Sequence, residues 1–142
     1  MRPQSILMFE RLFLASLALS LVGFAISYQA AVDALTSDPA MQQLGIGGGL
    51  IIGAAAVGYA IYLGLWYLIA HKAANWAKWV LVVFVALGLT SLRAAFSGSW
   101  GLTTFLNLAV YGLELVAVAY LFKADAKAWL SGEDTGDPAT FE

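Results

Sequence analysis

The chain has no cysteine, one histidine, three prolines and little charge of either sign. Without cysteine there is no disulfide, no thiolate metal site and no cysteine nucleophile, so redox chemistry by the protein's own side chains is not expected. The histidine, His71, has no second His, Cys or carboxylate at ligand spacing, and it reads as a solvated interfacial side chain rather than a metal ligand. Only seven residues are Lys or Arg, with no basic patch, which removes any case for nucleic-acid binding. No nucleophile, base and orienter recur as a set, so no enzyme is expected, and no cofactor is implied. What fills the space is apolar: 61% of the 142 residues are hydrophobic against 11% charged, and the mean hydropathy is +0.81. That balance is far from a soluble domain's and marks an integral membrane protein.

The hydrophobic runs are continuous and helix-length rather than alternating in ten-residue strands, which implies helices and not a barrel. A spanning helix needs about 20 mostly apolar residues. Four stretches qualify, at about 12–32, 49–70, 76–96 and 103–122. The expected fold is therefore all-α, a four-helix transmembrane bundle occupying residues 1–130. The acidic stretch 131–142, SGEDTGDPATFE, is expected to be a disordered cytoplasmic tail. A cleaved signal peptide is the alternative for the first run, but signal cores are usually roughly 7–15 residues and this one is longer. Glu10 beside Arg11 also suits an uncleaved span better than a purely basic leader.

The fourth run, TTFLNLAVYGLELVAVAYLF, carries one carboxylate, Glu114, near its middle. A charge at that depth costs roughly 2.5–3.5 kcal/mol on insertion scales, so Glu114 should face other helices. Tyr111 and Asn107, three and seven residues earlier, share its helical face and make a polar stripe. Tyr59 and Tyr62 of the second run fall at the same height if both helices are centred, and a tyrosine hydroxyl in hydrocarbon needs a partner. The candidate intramembrane cluster is thus Glu114, Tyr111, Asn107, Tyr59 and Tyr62. Two roles compete for it. One is interhelical glue, a protonated carboxyl bonded to a tyrosine hydroxyl or a backbone carbonyl. The other is a proton or cation site.

Small residues form two further strips. Ser16, Ser20, Gly23 and Ser27 recur at helical spacing in the first run, and Gly49, Gly53, Ala56, Ala60 and Gly64 in the second. Both read as faces that let another helix approach closely. The glycines from Gly45 to Gly49 lack the Lys-Ser/Thr partner of a phosphate-cradling loop. Residues 33–44, with Asp33, Asp38 and Pro39, read as the first loop, and residues 71–79 as a short basic connection that makes the second and third runs a hairpin. Ser5 is a candidate helix N-cap, and Glu10 is placed to meet Lys123 or Lys127 at the same membrane face. Residues 97–101 form the outer turn, and 123–130 an amphipathic surface segment.

Arg2, Arg11, Lys72, Lys78, Lys123 and Lys127 fall on one side of this threading and only Arg93 near the other. Both termini are then cytoplasmic by the positive-inside rule, with Arg93 too far outward to pair with Glu114. Over residues 2–130, the strings RPQSILMFERLFLASLALSLV, LWYLIAHKAANWAKWVLVVFVALG and LFKADAKAWL resemble a group of small, uncharacterised four-span inner-membrane proteins of bacteria. The resemblance implies fold and a bacterial cytoplasmic membrane, and no activity. The leading expectation is a non-catalytic accessory or structural subunit, packing against itself or a larger membrane complex. The alternative is a small transporter or proton-coupled carrier using Glu114. Beyond the bilayer, the partners expected are a protein or a second copy, with a lipid or quinone held by Trp and Tyr left open.

Overall fold

The computed structural model describes residues 2–96 and 101–132, with side chains of 91–96 excepted. The outer turn at 97–100, the Arg93 side chain and the tail at 133–142 lie outside the described residues. Within them the protein is all-helical. The helices are α1 (Gln4–Ser37), α2 (Pro39–Gln43), α3 (Gly48–Lys72), α4 (Asn75–Phe96), α5 (Leu102–Tyr120) and α6 (Ala124–Ser131). Three of them, α1, α3 and α5, are long and apolar enough to cross a membrane, and the described apolar part of α4, Asn75–Thr90, is shorter.

α1 is longer than its apolar run suggests. It starts at Gln4 and carries on through the stretch expected to be loop, ending only at Ser37. No proline or glycine interrupts it there, Gln29 donates to Asp33 one turn on at 3.0 Å, and the Thr36 and Ser37 hydroxyls turn back onto the Val32 and Ala34 carbonyls. At about 1.5 Å per residue its 34 residues reach about 51 Å, well beyond the ~30 Å hydrocarbon layer. Pro39 then ends it, because the residue before a proline is driven out of the helical region, and Asp38 is extended at ψ 118°. The same Asp38 caps α2 by accepting the Ala40 N–H at 2.9 Å.

The turn between α3 and α4 is two residues, Ala73 and Ala74, so the two helices are antiparallel neighbours. Ala73 is left-handed at φ 52°, and the Ala74 N–H reaches back to the Leu68 carbonyl at 3.0 Å. This is a helix stop that normally favours glycine.

The long helices pack in a closed order: α1 against α5 and α3, α3 against α4, and α4 against α5. The contact between α1 and α5 is the most extensive. The core lies at one end, where the start of α1 meets the end of α3, the start of α4, the end of α5 and α6. Ile6, Phe9, Phe13, Ile69, Leu81 and Leu121 are fully buried there. An aromatic column runs up from it, Phe9 to Phe13 at 5.3 Å, Phe13 to Tyr62 at 6.0 Å and Tyr62 to Phe84 at 6.0 Å between ring centres. Towards the other end Leu21, Val22, Ile26, Leu50, Ile52 and Val57 are all exposed. An apolar surface this extensive is what a bilayer covers.

α6 is tied to this packed end. Ser5 is the second residue of α1, not its cap, and the cap position is Pro3, which has no side-chain donor or acceptor to offer. The missing acceptor comes from α6, where Asp125 takes the Ser5 N–H at 3.1 Å and the Ser5 hydroxyl at 2.7 Å. A carboxylate at a helix N-terminus is also favoured by the helix dipole.

Candidate functional site

Immediately above the packed end, α1, α3 and α5 part to leave a cavity of about 270 Å³. α5 contributes Glu114, Tyr111, Val110 and Asn107, α3 contributes Tyr62, Tyr59, Gly58 and Ala55, and α1 contributes Leu17 and Ser20. All five residues of the polar cluster line it. The direction of the chain sets their heights. α3 and α5 both run towards the packed end, so Tyr62 and Glu114 lie at the floor, against the aromatic column and the buried Ala117 and Leu121. Asn107, two turns further from the core on α5, is exposed at the mouth.

Three contacts hold the tyrosines. The Tyr59 hydroxyl is 2.9 Å from the Ser20 hydroxyl of α1, which also donates to the Leu17 carbonyl at 2.8 Å. Tyr62 stands between Phe13 and Phe84. Tyr111 lies against the backbone of α4 at Gly88, so close that a methyl group there would stand 2.7 Å from Cε1 and 3.0 Å from the hydroxyl. Gly88 thus lets α5 place its tyrosine ring against α4.

Glu114 is only 5% exposed. Its carboxyl makes no hydrogen bond and no ion pair with any described residue, although it lies within electrostatic range of Tyr62 and Tyr111. The bond to a tyrosine hydroxyl or a backbone carbonyl that a purely adhesive role needs is therefore not made among the described residues. Three of the described cations, Arg2, Lys78 and Lys123, make contacts at the packed end. Arg2 pairs with Glu10 at 2.7 Å and its Nη1 also lies 3.5 Å from His71 Nε2; Glu10 meets neither Lys123 nor Lys127. Lys78 is within 5.4 Å of the Trp79 ring centre and 5.1 Å of Phe122's, and Lys123 lies 4.4 Å from Tyr120's. His71 stacks on Tyr67 and meets the edge of Trp66. No three His, Cys, Asp or Glu side chains among the described residues gather to hold a metal. Outside the apolar spans, the Ser5 hydroxyl and N–H hold the Asp125 carboxyl below its ordinary range.

The two small-residue strips have different surroundings. On α1, Ser16 is fully buried, and Ser20, Gly23 and Ser27 are half-buried. Ser16 donates to the Phe13 carbonyl and Ser27 to that of Gly23, so these hydroxyls are satisfied within their own helix. On α3, by contrast, Gly49, Gly53, Ala56, Ala60 and Gly64 are all exposed. A methyl group at any of its three glycines would meet nothing within 4 Å. Among the described glycines, those that do admit a neighbour are Gly88 and Gly48, the latter facing Tyr28.

Compared with known proteins, the chain matches no family model, no curated protein and no solved structure.

Proposed function

We propose that the protein is a small solute carrier or receptor of the membrane, working through the Glu114 cavity. One observation carries this reading: a buried carboxyl without a described partner lies at the floor of an open cavity with Asn107 at its mouth. Intramembrane carboxylates at such places are the usual sites of proton and substrate coupling. A sealed, dry bundle would favour glue instead. The fold reading that goes with it is a four-span bundle, with α4 as the fourth crossing. Its support is the closed packing order and the two-residue turn that sets α4 antiparallel to α3.

Both termini are read as cytoplasmic, in a bacterial inner membrane. The support is that Arg2, Arg11, Lys72, Lys78, Lys123 and Lys127 gather at the packed end, where α1 begins and α6 closes the described chain. The location in bacteria rests on the resemblance of the strings quoted above.

Dicyclohexylcarbodiimide, which couples to carboxyls in apolar sites, tests the reading in liposomes carrying the full chain. The expected result is a single adduct on the peptide containing Glu114, slowed when Val110→Phe fills the cavity. Absence of an adduct there, with the protein folded, would remove the carrier reading.

A second reading, an accessory subunit or self-oligomer, has its own support in the exposed strip from Gly49 to Gly64, which no helix among the described residues covers. Cysteines placed at Gly53 and Ala60 should crosslink between copies, or to a co-purified subunit, if that face is a contact. Lipid-only accessibility of both positions would count against it.

A further inference from the structure

The Glu114 cavity selects by charge and by shape. Its wall holds one acidic group and no basic one, and no described cation pairs with Glu114. A buried carboxylate without a counter-charge is unfavourable, so the site favours an occupant that brings positive charge. Three tyrosine rings stand around the same space, and their placement is fixed before any ligand arrives: Ser20 holds Tyr59, Phe13 and Phe84 flank Tyr62, and Gly88 admits Tyr111. Aromatic rings near a carboxylate are the recognised setting for ammonium groups.

Other occupants fit less well. A hard metal ion asks for about six or more oxygen ligands, and one carboxylate with an exposed amide and a few hydroxyls does not gather them. An anion would face Glu114 directly. Leu17 and Val110 add apolar wall that an alkylated ligand covers and a hydrated ion does not. Size sets the last bound. A cavity of about 150 Å³ admits benzene, so about 270 Å³ admits roughly ten non-hydrogen atoms.

We infer that the Glu114 cavity receives a compact organic monocation, an alkylated or aryl-alkyl ammonium, held by charge against Glu114 and by the rings of Tyr59, Tyr62 and Tyr111. This rests on the carrier or receptor reading and names its ligand class. Glu114 supplies the charge match, while Asn107 at the mouth is a polar group met on entry.

The test uses the full chain in lipid nanodiscs with tyrosine rings isotopically labelled. Benzyltrimethylammonium is titrated against N,N-dimethylbenzamide, a neutral probe of the same heavy-atom count. A quaternary ammonium has no proton to lose, so its charge is constant. The expected result is at least about tenfold tighter binding of the ammonium, with tyrosine signals shifted. Glu114→Gln should abolish that preference while the amide binds as before, and Glu114→Asp should keep much of it. Val110→Phe, which leaves the charge and fills the space, should remove binding of both probes and carries the test if Glu114→Gln does not fold. Equal binding of both probes, or a preference that survives Glu114→Gln, overturns the cation inference while the cavity still stands as a ligand site. Failure of both probes to bind, together with no carbodiimide adduct at Glu114, sinks this inference and the reading beneath it.

Discussion

Replacing Gly88 with alanine is expected to destabilise the protein through one contact, and the size of the effect follows from where Tyr111 stands. The new methyl would lie 2.7 Å from the Tyr111 Cε1 and 3.0 Å from its hydroxyl, against an optimum of about 3.5–4.0 Å between carbons. The ring must move by roughly 1 Å or the helices must part, and overpacking of this kind costs about 1–3 kcal/mol. Alanine returns up to ~1 kcal/mol in helix propensity. Because the ring borders a cavity, it has somewhere to go, so a net loss of about 1 kcal/mol is expected, with the cavity narrowed beside Glu114. Gly53→Ala and Gly64→Ala are built-in controls, since a methyl there meets nothing, and both should be neutral or slightly stabilising. The assay is reversible unfolding in mixed micelles, run as a double-mutant cycle with Tyr111→Ala. Removing the ring should relieve the cost of Gly88→Ala, giving a coupling of about 1–2 kcal/mol. Additive effects of the two changes, or equal losses at Gly53 and Gly88, would refute the steric account.

The remaining predictions concern the packed end. Asp125→Asn should loosen α6 from the start of α1 by about 0.5 kcal/mol, a small figure because the exposed carboxylate is screened by water. Since the folded Asp125 titrates below its unfolded value, its contribution is present above about pH 3.9 and is lost as pH falls through the lower folded value. Amide protection factors at Ser5 and in α6, corrected for the intrinsic pH dependence of exchange, should therefore fall below that pH in the wild type and be flat in the asparagine variant. A wild-type profile that is itself flat would remove the carboxylate from the cap. Ala73→Gly should stabilise by up to about 1 kcal/mol, because a left-handed backbone at φ 52° strains any residue with a Cβ. A loss of stability on thermal unfolding would show that the Ala73 methyl packs usefully.

How much of this was open to reading in the residues depends on distance along the chain. That Glu114, Tyr111 and Asn107 share a face follows from helical periodicity, and the heights of Tyr59 and Tyr62 follow from centring both helices in the bilayer. Long apolar runs likewise announce α1, α3 and α5. Pairings between remote segments have no such local sign. Asp125 meets Ser5 across 120 residues, and nothing in ADAKAWLS marks its carboxylate as the cap of another helix. Gly88 looks like any glycine in a Val-Leu-rich run until Tyr111 is placed against it. The strip on α3 shows the converse. Small residues at regular spacing announce that a close approach is available, but they do not say to what, and among the described residues nothing takes it. The extension of α1 to Ser37 was hidden for a third reason, because Thr36 and Ser37 are turn formers unless their hydroxyls fold back on the helix.

Placing the whole core at one end has a mechanical consequence. The packed base, with its aromatic column and the Ser5–Asp125 clasp, is a fixed fulcrum, and the lengths of α1, α3 and α5 beyond it are lever arms. For a pivot of α3 or α5 at that base, displacement grows in proportion to distance from the pivot. Ala55 and Asn107 at the rim would then travel further than Tyr62 and Glu114 beside the fulcrum. Such a pivot would widen the aperture while leaving the acidic floor its dimensions.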